Sequence, residues 1–287
     1  MSKGYLLIAN NTDTVDYVQL AYACALSIKH TQPLDLNNVT LITDTPGVVD
    51  RLRCGWIFNN IIEYTGPSGM DARSRAYDLS PYDETVLLDS DMLFLKPMNH
   101  YWYYLENYYL YVANSPQTYK AEKFSYGFYR KIFEEYKLPD VYNAWTYFKK
   151  DGRTAEFFDL VKLMTDNPDL FIKKFLPKSN LKTLPTDEAF ALAIRMLDIE
   201  NDVTGIHSFP AITHMKPMAQ GWTSYHDSWK ERLRFNINTD KRIDVKLGVW
   251  AQQDLLHYVD KEIITPAVIE SLETDIWMRK ATLVTTM

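Results

Sequence analysis

Three short apolar runs, 5–9 (Tyr-Leu-Leu-Ile-Ala), 39–42 (Val-Thr-Leu-Ile) and 61–64 (Ile-Ile-Glu-Tyr), are separated by segments long enough to hold a helix. Between the first two, Tyr17, Leu20, Ala21, Cys24 and Ile28 recur at helical spacing, and Thr12 or Asp13 offers a cap for a helix over 15–29. A Pro46-Gly47 turn and a helix over 48–54 fill the second gap. Strand, helix, strand, helix, strand at this spacing demands parallel pairing with right-handed crossovers, because tight hairpins cannot join runs so far apart. Ligands of such sheets bind beyond the carboxyl ends of the strands. Here those ends carry Ala9-Asn10-Asn11 and Asp44; Asp44 either bonds a nucleotide or closes a turn.

The pattern continues with a helix over 71–79, a strand over 84–88 and another over 108–113. Phe157, Leu160, Val161 and Met164 mark one helix face, and Phe190, Ile194 and Leu197 another, after a Thr186-Asp187 start. The tail over 266–278 reads as an amphipathic helix. Segment 115–137 mixes basic and aromatic residues without clean period and reads as an excursion over a site. The aromatic clusters 101–104 and 108–111 read as core and half-buried positions. The simplest account is one mixed α/β domain with a C-terminal elaboration.

At 287 residues such a chain buries roughly 75% of its unfolded surface, so it folds without metal or disulfide staples. Two cysteines, Cys24 and Cys54, make no disulfide framework and fit a reducing cytosol. No apolar window approaches membrane-span length, and residues 5–9 are too short a run for a secretory signal, so the expected localisation is cytoplasmic. Thirty-one Lys and Arg against 37 Asp and Glu give a net charge of −6, which weighs against a protein that coats nucleic-acid backbones.

The most informative stretch is Val86-Leu87-Leu88-Asp89-Ser90-Asp91. Two carboxylates delivered side by side by a buried strand repel unless a cation lies between them. Mg²⁺ and Mn²⁺ sites use one or two carboxylates completed by substrate phosphates, so the pair predicts a metal–diphosphate site. A phosphatase of the haloacid-dehalogenase type also starts on an apolar strand with paired aspartates. It requires Thr or Val where Leu93 stands, and it places the pair near the start of its domain.

From Arg73 to Asp91 the chain resembles the metal-dependent GT-A glycosyltransferases, in particular the retaining family of glycogenin and the lipopolysaccharide galactosyl- and glucosyltransferases. In that family a basic helix residue precedes the first motif aspartate by sixteen positions, matched by Arg73 and Asp89, with a Leu-x-x-Tyr turn between them, matched by Leu79 and Tyr82. The resemblance covers roughly residues 4–222. It implies a Rossmann-like, mainly parallel mixed sheet flanked by helices over 1–222, with 223–287 packed on it as an extension. It assigns Ala9, Asn10, Asn11 and a stacking Tyr17 to the base and Arg73 to the phosphates; Asp44, with a turn as its alternative, and Ser90 are further candidates for the nucleotide. Residues 141–148 resemble the segment whose Asn, here Asn143, faces the donor sugar, although Trp145 replaces the family's Gly. Residues 184–190 resemble the Asp-Gln segment, making Asp187 the acidic group near the transferred sugar; it also suits a helix cap. Residues 212–217 resemble a shortened His-x-x-Gly-x-x-Lys-Pro signature, implying His214 as third metal ligand, with His207 its rival, and Lys216 as diphosphate clamp.

The implied activity is transfer of a sugar, hexosyl or pentosyl, from a nucleotide-sugar donor, UDP-sugar first, with Mn²⁺ or Mg²⁺ and with retention. The acceptor stays open among a glycan, a protein and a modified DNA base. The alternatives are a non-catalytic nucleotide-sugar-binding protein of the same fold and a sugar nucleotidyltransferase; the latter normally has a Gly-rich basic loop where this chain has Asn10-Asn11-Thr12-Asp13. The segment 255–261 is explained as a strand running from core to surface.

Overall fold

The architecture comes from a computed structural model, which describes residues 1–33, 37–66, 69–114, 116–123, 130–205, 209–214, 228–258 and 260–285. The strands are β1 (Lys3–Ala9), β2 (Val39–Thr43), β3 (Asn60–Glu63), β4 (Glu84–Asp89), β5 (Met92–Phe94), β6 (Leu110–Asn114), β7 (Val141–Lys149), β8 (Ile212–His214), β9 (Leu233–Asn238), β10 (Arg242–Leu247), β11 (Trp250–Ala251) and β12 (Leu255–His257). Six form the central sheet in the order β3-β2-β1-β4-β7-β6. The first four are parallel, as the spacing of the apolar runs requires, and β7 runs antiparallel to both β4 and β6. β1, β2 and β4 are buried almost throughout, which is why they read as continuous apolar runs rather than alternating ones.

Register brings the strand ends together. Ala9 lies opposite Thr43 and Ile8 opposite Asp89, so the residues just beyond β1, β2 and β4 share one edge of the sheet. The turn between β4 and β5 is pinned from two sides: the Ser90 hydroxyl donates to the Ile8 carbonyl, and the Tyr258 amide donates to the Asp91 carbonyl at 3.0 Å.

The helix Tyr17–Thr31 is capped by Asp16, whose carboxylate accepts from the Gln19 amide at 3.1 Å, rather than by Thr12 or Asp13. Asn11 adds a second cap through its side-chain oxygen, which accepts from the Val18 amide. The helix expected over 71–79 is two pieces, Gly69–Ser74 and Ala76–Leu79, parted at Arg75. In the aromatic helix His100–Leu105, Trp102 is buried and donates to the Tyr5 hydroxyl at 3.2 Å, while Tyr103 and Tyr104 face solvent. Within the 115–137 excursion, the described residues contribute a bridge between Gln117 and Lys123 and the helix Lys131–Glu135. Cys24 and Cys54 are buried free thiols.

The C-terminal part adds two small sheets. β9, β10 and β11 form an antiparallel meander; along β10 the alternation of Ile243, Val245 and Leu247 with polar neighbours marks one buried face. β12 lies between β5, antiparallel, and β8, parallel, with His257 opposite both Met92 and His214. The last helix, Pro266–Thr285, packs on Tyr17–Thr31. A buried His30–Asp275 contact at 2.7 Å and an Arg279 bond to the Lys29 carbonyl at 2.8 Å tie the two helices. Among the described residues no helix is long and apolar enough to cross a membrane.

Candidate metal and nucleotide cleft

A cleft of about 570 Å³ opens at the carboxyl edge of the parallel strands. Asn10, Asn11, Tyr17, Asp44, Arg73, Asp89, Ser90 and Asp91 all line it, joined by Thr186 and His257. Asn11 and Asp44 are mutually bound, the Asn11 amide donating to the Asp44 carboxylate at 3.2 Å. Ala9 lies behind the wall, fully buried in the core. Lys216 and His207 fall outside the described residues.

At the floor, Asp89, Asp91 and His257 each present a ligating atom within 4.8 Å of the others; among the described residues this is the group of carboxylate, thiol and imidazole atoms close enough to share a metal. His257 Nε2 lies 3.1 Å from Asp91 and 3.7 Å from Asp89. The opposite nitrogen, Nδ1, is hydrogen-bonded to the Tyr142 hydroxyl. His214 is the next residue outward: its ring centroid is 4.9 Å from that of His257, and register places both rings on one face of the small sheet. The segment that sequence patterning read as a plain strand thus supplies the imidazole nearest the carboxylates. The only signal for it was a histidine at the end of an apolar run.

Two permanent cations accompany the carboxylates. Arg73 pairs with Asp89 and also donates to the Asn143 carbonyl at 2.7 Å. Lys261, four residues beyond His257, pairs with Asp91 and lies 5.8 Å from the centre of the Tyr17 ring. Burial works to raise the Asp91 carboxyl, but His257 and Lys261 together outweigh it and hold the group well below the ordinary carboxylate range. Conversely, burial works against the imidazolium of His257, and the two aspartates raise it above the usual histidine value.

Asp187 and Asn143 are joined behind this cluster. The Asn143 amide donates to Asp187 at 2.8 Å, and the other Asp187 oxygen lies 3.4 Å from Arg130, a fully buried guanidinium that also binds Asp140 at 2.6 Å. Burial raises the Asp187 carboxyl against the opposing pull of Arg130. Burial, and then the charge of Asp187, pushes neighbouring Glu188 up to about 7. Asp187 starts the helix Thr186–Leu197 without accepting a cap bond from it.

The donor set suits a hard divalent ion. Two carboxylate oxygens and one imidazole are within reach of one ion and leave further coordination positions open. Two buried polar atoms, Asn10 Oδ1 at the cleft wall and Asn143 Nδ2 behind it, have no partner within the protein, as expected where a polar ligand completes the bonding.

No protein-family model matches the chain, and no curated protein does. Its fold is similar to that of mouse xyloside xylosyltransferase 1 in its apo form, over 90% of this chain and 98% of that one, with a TM-score of 0.54 at 9% identity. The chain has the GT-A fold. The glycosyltransferase GlyE of Streptococcus pneumoniae TIGR4 superposes more loosely, over 72% of this chain and 45% of its own longer one, with a TM-score of 0.45 at 12% identity.

Proposed function

We propose that this chain is a metal-dependent glycosyltransferase that moves a sugar from a nucleotide-sugar donor to an acceptor. The observation that carries this reading is the Asp89–Asp91–His257 group at the floor of a cleft on the carboxyl edge of a GT-A sheet. The charges fit the donor. Asp89 and Asp91 are balanced by Arg73 and Lys261, so the cluster is close to neutral by itself. A divalent ion then brings two positive charges, matching the two negative charges of a nucleoside diphosphate ester.

In this reading Asp89, Asp91 and His257 hold the ion, Mn²⁺ in preference to Mg²⁺, with His214 packed behind His257. When bound, the ion supplies the positive charge that stabilises a departing diphosphate. Lys261 and Arg73 lie where they add to that stabilisation, and Lys216 is a further cation for the phosphates. Tyr17 stacks on the base. Ser90 and Asp44 bind the nucleotide, and Asn10 Oδ1 accepts from a base N–H, such as N3–H of a uridine donor. Asp187 positions the Asn143 peptide, and the Asn143 side-chain amide, buried without a protein partner, is assigned to the donor sugar. Retention at the anomeric carbon follows from the resemblance to the retaining family. Pentosyl donors belong beside hexosyl donors, because a xyloside xylosyltransferase is similar in fold over 90% of this chain.

The test is hydrolysis of UDP-, GDP-, CMP- and dTDP-sugars with and without Mn²⁺. A Mn²⁺-dependent release of UDP is the expected result. Hydrolysis of none of them, or hydrolysis unchanged when Asp89 and Asp91 are both replaced by Asn, overturns the reading.

A further inference from the structure

Three consecutive residues at the start of β7 bond side chains in and behind the cleft wall. The Val141 carbonyl accepts from Arg130, the Tyr142 hydroxyl bonds His257 Nδ1, and the Asn143 peptide binds Asp187 through its amide and Arg73 through its carbonyl. Strand alternation makes this possible: Val141 belongs to one core cluster, while Tyr142 turns to the opposite face, where the small β5-β12-β8 sheet lies. There its ring lies 5.4 Å from that of His214 and 5.8 Å from that of His257, and the hydroxyl selects the second of these. A tyrosine that is 2% exposed needs a polar partner for its hydroxyl.

We infer that Tyr142 is a positioning residue that commits His257 to the metal through Nε2. This inference rests on the metal reading above. An imidazole has two nitrogens, and the one that keeps its proton is set by the bond its partner offers. With the Tyr142 oxygen accepting from Nδ1–H, the lone pair is left on Nε2, the nitrogen that faces Asp91 at 3.1 Å and Asp89 at 3.7 Å. The same bond fixes the rotation of the ring. His214, on the neighbouring strand at the same register, packs beside it with the ring centroids 4.9 Å apart and the planes tilted by 32°.

Tyr142→Phe removes only the hydroxyl and keeps the packed ring. Binding of Mn²⁺ to the full chain, read by electron paramagnetic resonance of the free ion, is expected to weaken about tenfold in Y142F, with the thermal unfolding midpoint close to that of the wild type. His257→Ala is expected to weaken it further. In ¹⁵N-histidine spectra of the Mg²⁺-loaded protein, the wild type should show His257 protonated at Nδ1, and that signal should shift in Y142F. Unchanged Mn²⁺ affinity in Y142F, or an Nδ1–H signal that does not respond to the substitution, overturns the inference while leaving the metal site standing. Wild-type protein that binds no Mn²⁺, or His257→Ala protein that binds it as well as the wild type, instead ends the metal assignment itself and this inference with it.

Discussion

Asp89 and Asp91 are two residues apart and are served by different halves of the molecule. Asp89 ends β4, is 28% exposed at its side chain, and takes its cation from Arg73 on a short helix sixteen residues earlier. Asp91 is 12% exposed and takes both its imidazole and its ammonium partner, His257 and Lys261, from a strand end more than 160 residues later. Arg73 is also part of the frame, because it ties the Asn143 carbonyl to the turn. Among the described residues Lys261 hydrogen-bonds Asp91 and the nearby Tyr258 carbonyl. The near side of the site is therefore built into the core, while the far side is laid across it by the C-terminal strands.

The largest expected effect separates the two carboxylates. Asp91→Asn and Asp89→Asn should each lower kcat/KM for Mn²⁺-dependent donor hydrolysis by at least about 10²-fold, with Asp91→Asn the more damaging because its oxygen is the more buried and the closer to His257. Equal activity of either variant and wild type would contradict the shared metal site.

Next, Arg73→Met and Lys261→Met should diverge. Arg73→Met removes a buried guanidinium that serves both the Asn143 carbonyl and Asp89, and should cost about 2 kcal/mol in urea unfolding. Lys261→Met should raise the donor KM about tenfold, as expected for a charge-assisted bond to phosphate, while unfolding changes little. Matching stability losses in both would erase the distinction between the two sides.

The smallest effect concerns Glu188, behind the Asp89 side. Its carboxyl sits near 4.5 in an unfolded chain and at about 7 when folded. The folded protein therefore holds an extra proton between those values. The contribution to stability is whole below 4.5 and is lost as pH rises through 7. From pH 4.5 to 8 the wild type should lose about 3 kcal/mol relative to Glu188→Gln, measured by urea unfolding at each pH. A flat difference across that range would contradict the burial of this group.

The two sides also differ in how far they could be read from residues alone. Parallel pairing of β1, β2 and β3 follows from apolar runs with helical spacers, because that pattern reports burial on both faces of each strand. The clustering of Asn10, Asn11, Asp44 and Asp89 follows in turn, since parallel strands in register deliver their carboxyl ends to one edge. Arg73 was legible through a fixed helical offset within one local unit. The cap at Asp16 was missed because Thr12, Asp13 and Asp16 all carry capping oxygens, and the choice was made by where Asn11 binds.

His257 and Lys261 lay beyond that kind of reading. Local pattern shows that β12 is apolar, but not that it inserts between β5 and β8, and only that insertion sets His257 beside the acidic turn. The likeness of 212–217 to a known signature drew attention to His214, the residue on the adjoining strand at the same register. Sequence by itself thus determined the parallel part of the sheet, its ligand-binding edge and the acidic turn, because burial and helical period are properties of short segments. Only the tertiary structure decided which distant imidazole and which lysine meet that turn, because strand pairing across more than a hundred residues is settled by packing rather than by local pattern.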